Sequence, residues 1–466
     1  MKYLLIPFLL FYLSSSYADT VEERVEDLEM SRDLDILSFK SVFKYHYDSI
    51  KRTTKSTGSE TEDKFHPHRV YYSLDSSANV TKNIRFFGRI AASKFINTLS
   101  LTDADLYLFG KSRGESGDGL YLERAFVEYD VADNVTLSAG RLPTIDGPPI
   151  NELDGLARQG TYPILGYGNQ LDGLAATYSA SFMPRDNSLV FRLVYTPLYN
   201  MAKSITGLTN PKMSIANTAS NQKEHSHLSS AILEYSNSNR KFWDQFLFIY
   251  QLVDVGEAQV RDVYPAGTDL GTITASPASG GNGIPSATGL TAGGSNLVLS
   301  SMSHTLFAGF RNIAQSGINF SFTYLSSKMK SKGLFETGAV FGPTTGLNKG
   351  YMTNRSSETV TGKAWLATMS YKLRWKKLRN PTIGMEYFDG NKHHLYVGDN
   401  NDDLTGLYGT RGNFYHIYWS QPLGSGLRFR IGYSMQDHDY TKGFIGEPTA
   451  SDVEEENVYA MVRLDI

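Results

Sequence analysis

The chain of 466 residues contains no cysteine. Disulfide bridges, thioether haem attachment and thiolate metal sites are therefore excluded. A small exported domain often needs bridges, but a chain this long can bury a core or close a barrel without them. A surplus of charge is also lacking: 45 Lys and Arg stand against 48 Asp and Glu, a net of −3. Such a balance gives no footprint for nucleic acid. Beyond residues 4–13 (LLIPFLLFYL), no window approaches the ~18 apolar residues of a membrane helix, and mean hydropathy is −0.31. Helical spans are excluded in turn. No GxSxG, His–Ser–Asp order or paired acid site stands out, so no enzymatic activity is expected.

What is present begins with an export signal. Lys2 supplies the positive end, residues 4–13 the apolar region, and Ser16–Tyr17–Ala18 a small-x-small cleavage site, so 1–18 reads as a signal peptide. The alternative, an uncleaved anchor, runs against an apolar stretch shorter than the ~20 residues a span needs. In 19–35, Val21, Val25, Leu28 and Arg32 recur at steps of four and three, the seam of a short periplasmic helix. Either it pairs with other copies in a homo-oligomer or it is a frayed leader, since two turns alone are marginal in water.

From Leu37 the period changes to two. LSFKSVFKYHY sets Phe39, Phe43, Tyr45 and Tyr47 on one face against Lys44 and His46 on the other. KNIRFFGRIAA opposes Ile84, Phe86 and Ile90 to Arg85 and Arg89, and LRFRIGYSM opposes Leu427, Phe429 and Ile431 to Arg428 and Arg430. Each reads as a strand with one apolar and one polar face. Sixteen such segments can be marked: 37–47, 69–75, 82–92, 121–131, 135–142, 171–179, 188–196, 227–235, 242–252, 303–311, 317–325, 363–373, 382–389, 412–420, 427–436 and 457–466. Most approach the ~9–11 residues that cross a bilayer at a tilt.

The connectors fall into two alternating length classes. Short ones lie at 76–81, 132–134, 180–187, 236–241, 312–316, 374–381 and 421–426. Long ones lie at 48–68, 93–120, 143–170, 197–226, 253–302, 326–362, 390–411 and 437–456. Tight periplasmic turns, long outer loops and an even strand count predict an all-β, transmembrane, antiparallel up-and-down β-barrel of about sixteen strands over 36–466. The 29 Tyr and 25 Phe suit the aromatic girdles such a barrel carries in the outer membrane of a Gram-negative bacterium. In 457–466, Val458, Ala460, Val462, Leu464 and Ile466 form an apolar stripe to the last residue.

The third long connector, 143–170, is stiffened by Pro143, Pro148, Pro149 and Pro163, with Gly147, Gly155 and Gly160 expected to let it turn sharply. It carries Asp146, Glu152 and Asp154 against Arg158, with Arg141 just before it. The inward face of the barrel leans basic: Lys44, Arg85, Arg89, Arg124, Arg192, Arg428, Arg430 and Arg463 outnumber Glu128, Asp130, Glu234, Glu386 and Asp465. The expectation is that 143–170 folds into the aqueous channel and that a transverse field crosses it. The constriction would be lined by Arg85, Arg89, Arg124, Glu128, Arg141, Asp146, Glu152, Asp154, Arg158, Arg192, Arg428 and Arg430. The alternative is a loop that lids the mouth or makes a subunit contact.

Other clusters carry less. His225 and His227 share a strand face without a further ligand at metal spacing. Asp399, Asp402 and Asp403 make an oxygen-rich loop that suits Ca²⁺, but the glutamate of an EF-hand loop is missing. No other cofactor is expected. Lys328, Lys330 and Lys332 would face lipopolysaccharide phosphates or solvent.

Several pieces together carry a family likeness: LERAFVEYDV leading into AGRLPTIDGPP, then RQGTYP, TRGNFYHIYWSQP, LRFRIGYSMQDHDYT and GEP at 446–448. With them the chain resembles a bacterial family of outer-membrane, porin-like proteins, domain-of-unknown-function family 3373. The resemblance runs over most of the mature chain. It implies a single-chain outer-membrane barrel with porin-like transport and no settled substrate. The leading expectation is passive diffusion of small hydrophilic or charged solutes. The alternatives are a sleeve around a periplasmic or surface partner, such as an electron-transfer protein, and a surface adhesin.

Overall fold

A computed structural model describes residues 37–56, 58–96, 120–197 apart from 154, 155, 157, 167 and 169, 227–259 apart from 240, 298–332, 352–353, 358–396, 403–441 and 447–466. The signal segment and the leader at 19–35 lie outside the described residues.

The strands are β1 (Ser38–Ser56), β2 (Ser59–Phe65), β3 (His68–Asn79), β4 (Ile84–Phe95), β5 (Tyr121–Ala132) and β6 (Val135–Leu142). Next come β7 (Leu171–Ser179), β8 (Asn187–Pro197), β9 (His227–Asn239), β10 (Trp243–Gln259), β11 (Val298–Ile313) and β12 (Ile318–Lys332). The last five are β13 (Thr359–Lys372), β14 (Thr382–Gly390), β15 (Gly412–Pro422), β16 (Leu427–Tyr440) and β17 (Ala450–Asp465). One short helix, α1 (Ile150–Leu153), interrupts the connection between β6 and β7.

Apart from β2 and β3, which both pair with β1, each strand pairs antiparallel with its sequence neighbour, and β17 returns to β1 in register from Val42↔Asp465 to Thr54↔Val453. The cylinder is closed. Although seventeen strands form the sheet, β2 and β3 share one stave. Their registers on β1 are continuous, Ile50↔Phe65 and Tyr47↔His68. Pro67 breaks the stave because it brings no N–H to the ladder, yet its carbonyl still accepts from the Asp48 amide at 3.1 Å. Sixteen staves result, and every segment marked by alternation contributes one.

The staves are longer than the alternation indicated. Residues 48–68, expected as an outer loop, are instead the continuation of β1 and β2 around a turn at Gly58. Much of 437–456 is likewise strand, and β10–β13 run several residues into the expected loops at 253–302 and 326–362. Above the bilayer the apolar face is no longer required, so the pattern fades while the hydrogen-bond ladder continues. Opposite charges across strands stabilise it: Lys51 Nζ lies 3.3 Å from Glu62, Arg52 Nη2 2.7 Å from Glu455, and Lys55 Nζ 3.3 Å from Glu454.

Side chains separate by parity. Phe39, Phe43, Phe86, Ile90, Val127, Leu137, Leu174, Phe320, Phe322, Met385, Ile417 and Ile431 are exposed on the outer surface. An apolar exterior this extensive has no place in water and belongs against lipid. Rings cluster at two levels. Near the short turns, Trp243, Phe246 and Phe310 touch, with centroids 4.8 Å apart for Phe246–Phe310. Toward the other end, Trp365–Tyr387 and Tyr387–Tyr415 each stand 4.9 Å apart. The opposite parity puts Lys44, His46, Asp48, Arg69, Arg89, Glu234, Glu386, His416 and Arg430 inside, all buried among neighbours.

Candidate functional site

The connection between β6 and β7 is a zipped hairpin lying against the inner wall. Its two arms are joined by the amide of Gly160 donating to the Asp146 carbonyl at 3.2 Å, and that of Ile164 to the Pro148 carbonyl at 2.9 Å. Gly147 and Gly160 serve close approach, and Gly155 lies outside the described residues. A Cβ on Gly147 would run into the Tyr162 carbonyl oxygen, and one on Gly160 into that of Ile145. The left-handed conformation falls at Asp146 instead, whose φ of 62° Asp tolerates better than most residues.

Three sides of the wall hold the hairpin. On the first, the Asp146 carboxylate accepts from Arg124 at 2.8 Å and from Arg89 at 3.1 Å. On the second, Arg158 forks onto Glu234 of β9 at 3.0 and 2.5 Å, while Arg192 of β8 reaches the same carboxylate at 2.8 Å. On the third, Ile164 and Leu165 bury themselves among Leu325, Leu366, Phe388 and Phe414 from β12–β15. Glu152, on α1, faces Arg311 of β11 at 3.6 Å. Between the first and third sides the hairpin crosses the lumen.

Arg89 is densely engaged. Its Nε and Nη2 donate to Asp75, its Nη1 to Glu123 at 3.0 Å, and its Nη2 also to Gln159 at 2.6 Å. Glu123, wholly buried, escaped the sequence reading because the β4–β5 register slips between Arg89 and Ile90. The slip is a bulge that turns Glu123 inward beside Arg124, which strict alternation cannot show. Asp48, Asp75 and Glu455 are further acids that the apolar–polar count passed over.

Of the other expected lining residues, Arg85 faces Glu128 at 3.2 Å and Asp130 at 3.1 Å. Arg430 stacks on the Tyr459 ring at 5.6 Å. Arg428 lies two residues further toward the turn end, opposite Arg463 and Pro422. Asp154 lies outside the described residues. Arg141 is a correction. Leu142 and Leu171 are the paired buried residues, so Arg141 shares the outward parity of exposed Leu137. There it forks onto Asp172 at 2.7 Å for each bond, and its Nη1 donates to the Leu122 carbonyl at 2.6 Å and to Gln170 at 3.3 Å. The simple field of a basic wall against an acidic loop is corrected too. Asp146 on the loop does meet wall arginines, but Arg158 on the loop meets a wall glutamate, so the polarity reverses across the lumen.

A second connector folds inward. Leu407 and Tyr408, between β14 and β15, join Phe388 and Phe414 in the apolar cluster that receives Ile164 and Leu165. Asp403 is spent on this turn: its oxygens accept from the Thr405 amide and hydroxyl and the Leu407 amide at 2.7–3.0 Å. Asp399 and Asp402 lie outside the described residues, as does His225. His227 stacks on Tyr195 on the outer face. Lys328 and Lys330 also point outward, above Phe322.

Between hairpin and wall lies a crevice of about 30 Å³ along β1, β3, β4 and β17, lined by Lys44, Arg89, Arg463, Asp146 and Gln159 among others.

A family model described as "Protein of unknown function (DUF3373)" matches residues 60–465. Among solved structures, the chain is similar to an anion-selective porin from Comamonas acidovorans, at 10% identity over 92% of this chain and 100% of that one, with a TM-score of 0.46. It is similar to OprB of Pseudomonas putida at 11% identity over 95% and 96% of the two chains, with a TM-score of 0.47. OmpF of Salmonella typhi, in complex with daunomycin, shares 9% identity over 92% and 97%, with a TM-score of 0.46. No curated protein matches the chain.

Proposed function

The chain belongs to the DUF3373 family, and from the geometry of its lumen we propose that it is an outer-membrane porin passing small hydrophilic or charged solutes by diffusion. Its location follows from the barrel itself: a closed sheet with apolar exterior and hydrogen-bonding interior sits in the bacterial outer membrane. One observation carries the functional reading. The 145–166 hairpin crosses the lumen and is pinned at Arg89 and Arg124, at Glu234, and in the Phe388–Phe414 cluster. A barrel of this strand number would otherwise hold a wide aqueous channel. Pinned segments with charges of both signs at a narrow gap sort solutes by size and charge.

The crevice beside the Lys44–Arg89–Arg463 wall, where Asp146 faces the cations, supports charge-dependent sorting at the hairpin. The same hairpin occupies the space a threaded partner would need, which favours a channel over a sleeve. Lys328 and Lys330, outward and above the apolar band, support contact with lipopolysaccharide phosphates.

Planar-bilayer recording of the refolded barrel tests the reading. Discrete ohmic steps are expected, and removal of 150–158 should enlarge them. Absence of steps from both forms would end the porin proposal.

A further inference from the structure

At the short-turn end of the lumen, beneath α1, lies a second cavity of about 750 Å³. Its wall is uneven in charge. Arg311, Lys372, Arg374 and Lys376 line it, against one acid, Asp244. That carboxylate already accepts from Asn312 at 2.8 Å and from Gln315 at 3.0 Å. Arg374 is held in place by donating to the Gln315 carbonyl across the β11–β12 turn. Glu152 pairs with Arg311 at 3.6 Å, and Lys372, Arg374 and Lys376 form a cationic arc on one side.

Strand parity fixes this arrangement. Gln245, Arg311 and Asn319 have the inward parity of Ile249, Phe307 and Ser321 on the same strands. Lys372 continues the inward series of Leu366, Thr368 and Ser370 to the last residue of β13. Arg374 and Lys376 follow on the turn. Cations converging from a strand end and a turn on a concave, partly walled space raise the local concentration of anions far more than the same charges on a flat surface. The volume falls in the range of small-molecule sites, and Asn319 adds a neutral amide beside the cations.

We infer that this vestibule is a docking site for small multivalent oxyanions, solutes carrying two or more carboxylate or phosphate groups. The guanidinium of Arg374 offers paired donors to one group while Lys372 and Lys376 neutralise another. The inference rests on the channel reading for its place on a transport path, but binding itself does not.

Calorimetric titration of the full-length barrel in detergent, with citrate and tripolyphosphate as probes and acetate as the monovalent control, tests it. Both probes should bind and acetate should not. K372Q/K376Q, and separately R374Q, should each weaken binding by about tenfold, with the heat-shifted band on gels confirming the folded barrel. In bilayers, citrate added on the turn side should block current at lower concentration than from the other side. Equal affinity for citrate and acetate, or unchanged binding in both folded variants, overturns the site. Citrate binding without conductance steps would leave the site standing and remove the channel; steps without citrate binding or block would do the reverse.

Discussion

Arg158 of the lumen hairpin and Glu234 of the wall form a two-pronged ion pair at 3.0 and 2.5 Å, and Arg192 completes it from the next strand. The Glu234 side chain is only 7% exposed, so the carboxylate has little water to fall back on. Glu234→Gln leaves two guanidiniums facing one amide. The expected cost is about 3 kcal/mol in urea unfolding from lipid vesicles, accompanied by noisier open-channel current as the far arm loosens. A variant with wild-type stability and quiet current would show that the pair does not latch the hairpin.

Arg89 and Arg141 make a controlled comparison, because they were equally plausible lining residues by sequence. Arg89→Gln strips the cation shared by Asp75, Glu123 and Asp146, so reversal potentials in a KCl gradient should move toward cations. Stability should fall by about 3–5 kcal/mol. Arg141→Gln, on the outer face, should leave reversal potential and conductance at wild-type values. Equal effects from the two would contradict the assigned faces.

Gly147→Ala and Gly160→Ala each place a methyl against an opposing carbonyl where the hairpin arms meet. The arms must part, at a cost of about 1–3 kcal/mol, while the barrel wall stays intact. Limited proteolysis of the folded variants should then cut within 150–158, and the parent should not be cut there. Equal resistance would mean that the arms separate without freeing the tip.

His394, outside the membrane in the connection after β14, sets a pH dependence. Burial lowers its pKa from 6.5 to about 4; the Arg411 cation adds to this, and the Tyr408 carbonyl opposes it. Above pH 6.5 the ring is neutral folded or unfolded, and nothing changes. Between pH 6.5 and about 4 the unfolded chain takes a proton that the folded pocket refuses, so stability falls as pH falls. The loss is complete below about pH 4 and amounts to about 3 kcal/mol. Hydrogen exchange of amides 391–396 and 403–411 should accelerate over that window, and His394→Phe should flatten the response.

The membrane-crossing part of this molecule was readable from alternation because lipid imposes it: Phe39 and Phe43 must face out, so Lys44 and His46 face in. Above the bilayer that constraint ends. The Lys51–Glu62 and Arg52–Glu455 pairs occupy strands whose sequence carries no apolar stripe, so alternation there indicates loop. The hairpin was legible as a special segment from its prolines and opposed charges, but its partners were not. Glu234 meets Arg158 across 76 positions of sequence, and Glu123 is turned inward by a bulge that only the β4–β5 register reveals. Arg141 was misplaced because an arginine beside a charged loop attracts a lumen assignment, although Leu137 two steps of parity earlier already marked its face. The inward turn at Leu407 and Tyr408 left no periodic trace at all.

The β1–β17 register has a consequence for biogenesis. Ser41 and Ile466 exchange both backbone hydrogen bonds, each 2.9 Å long, so the first staff of the cylinder waits for the last before either has a neighbour on that side. Until then the polypeptide presents two open edges, each a template for stray pairing. Completion is thus a late, single event, and shortening the final segment should trap the protein as an aggregate or a chaperone client rather than as a slightly smaller pore.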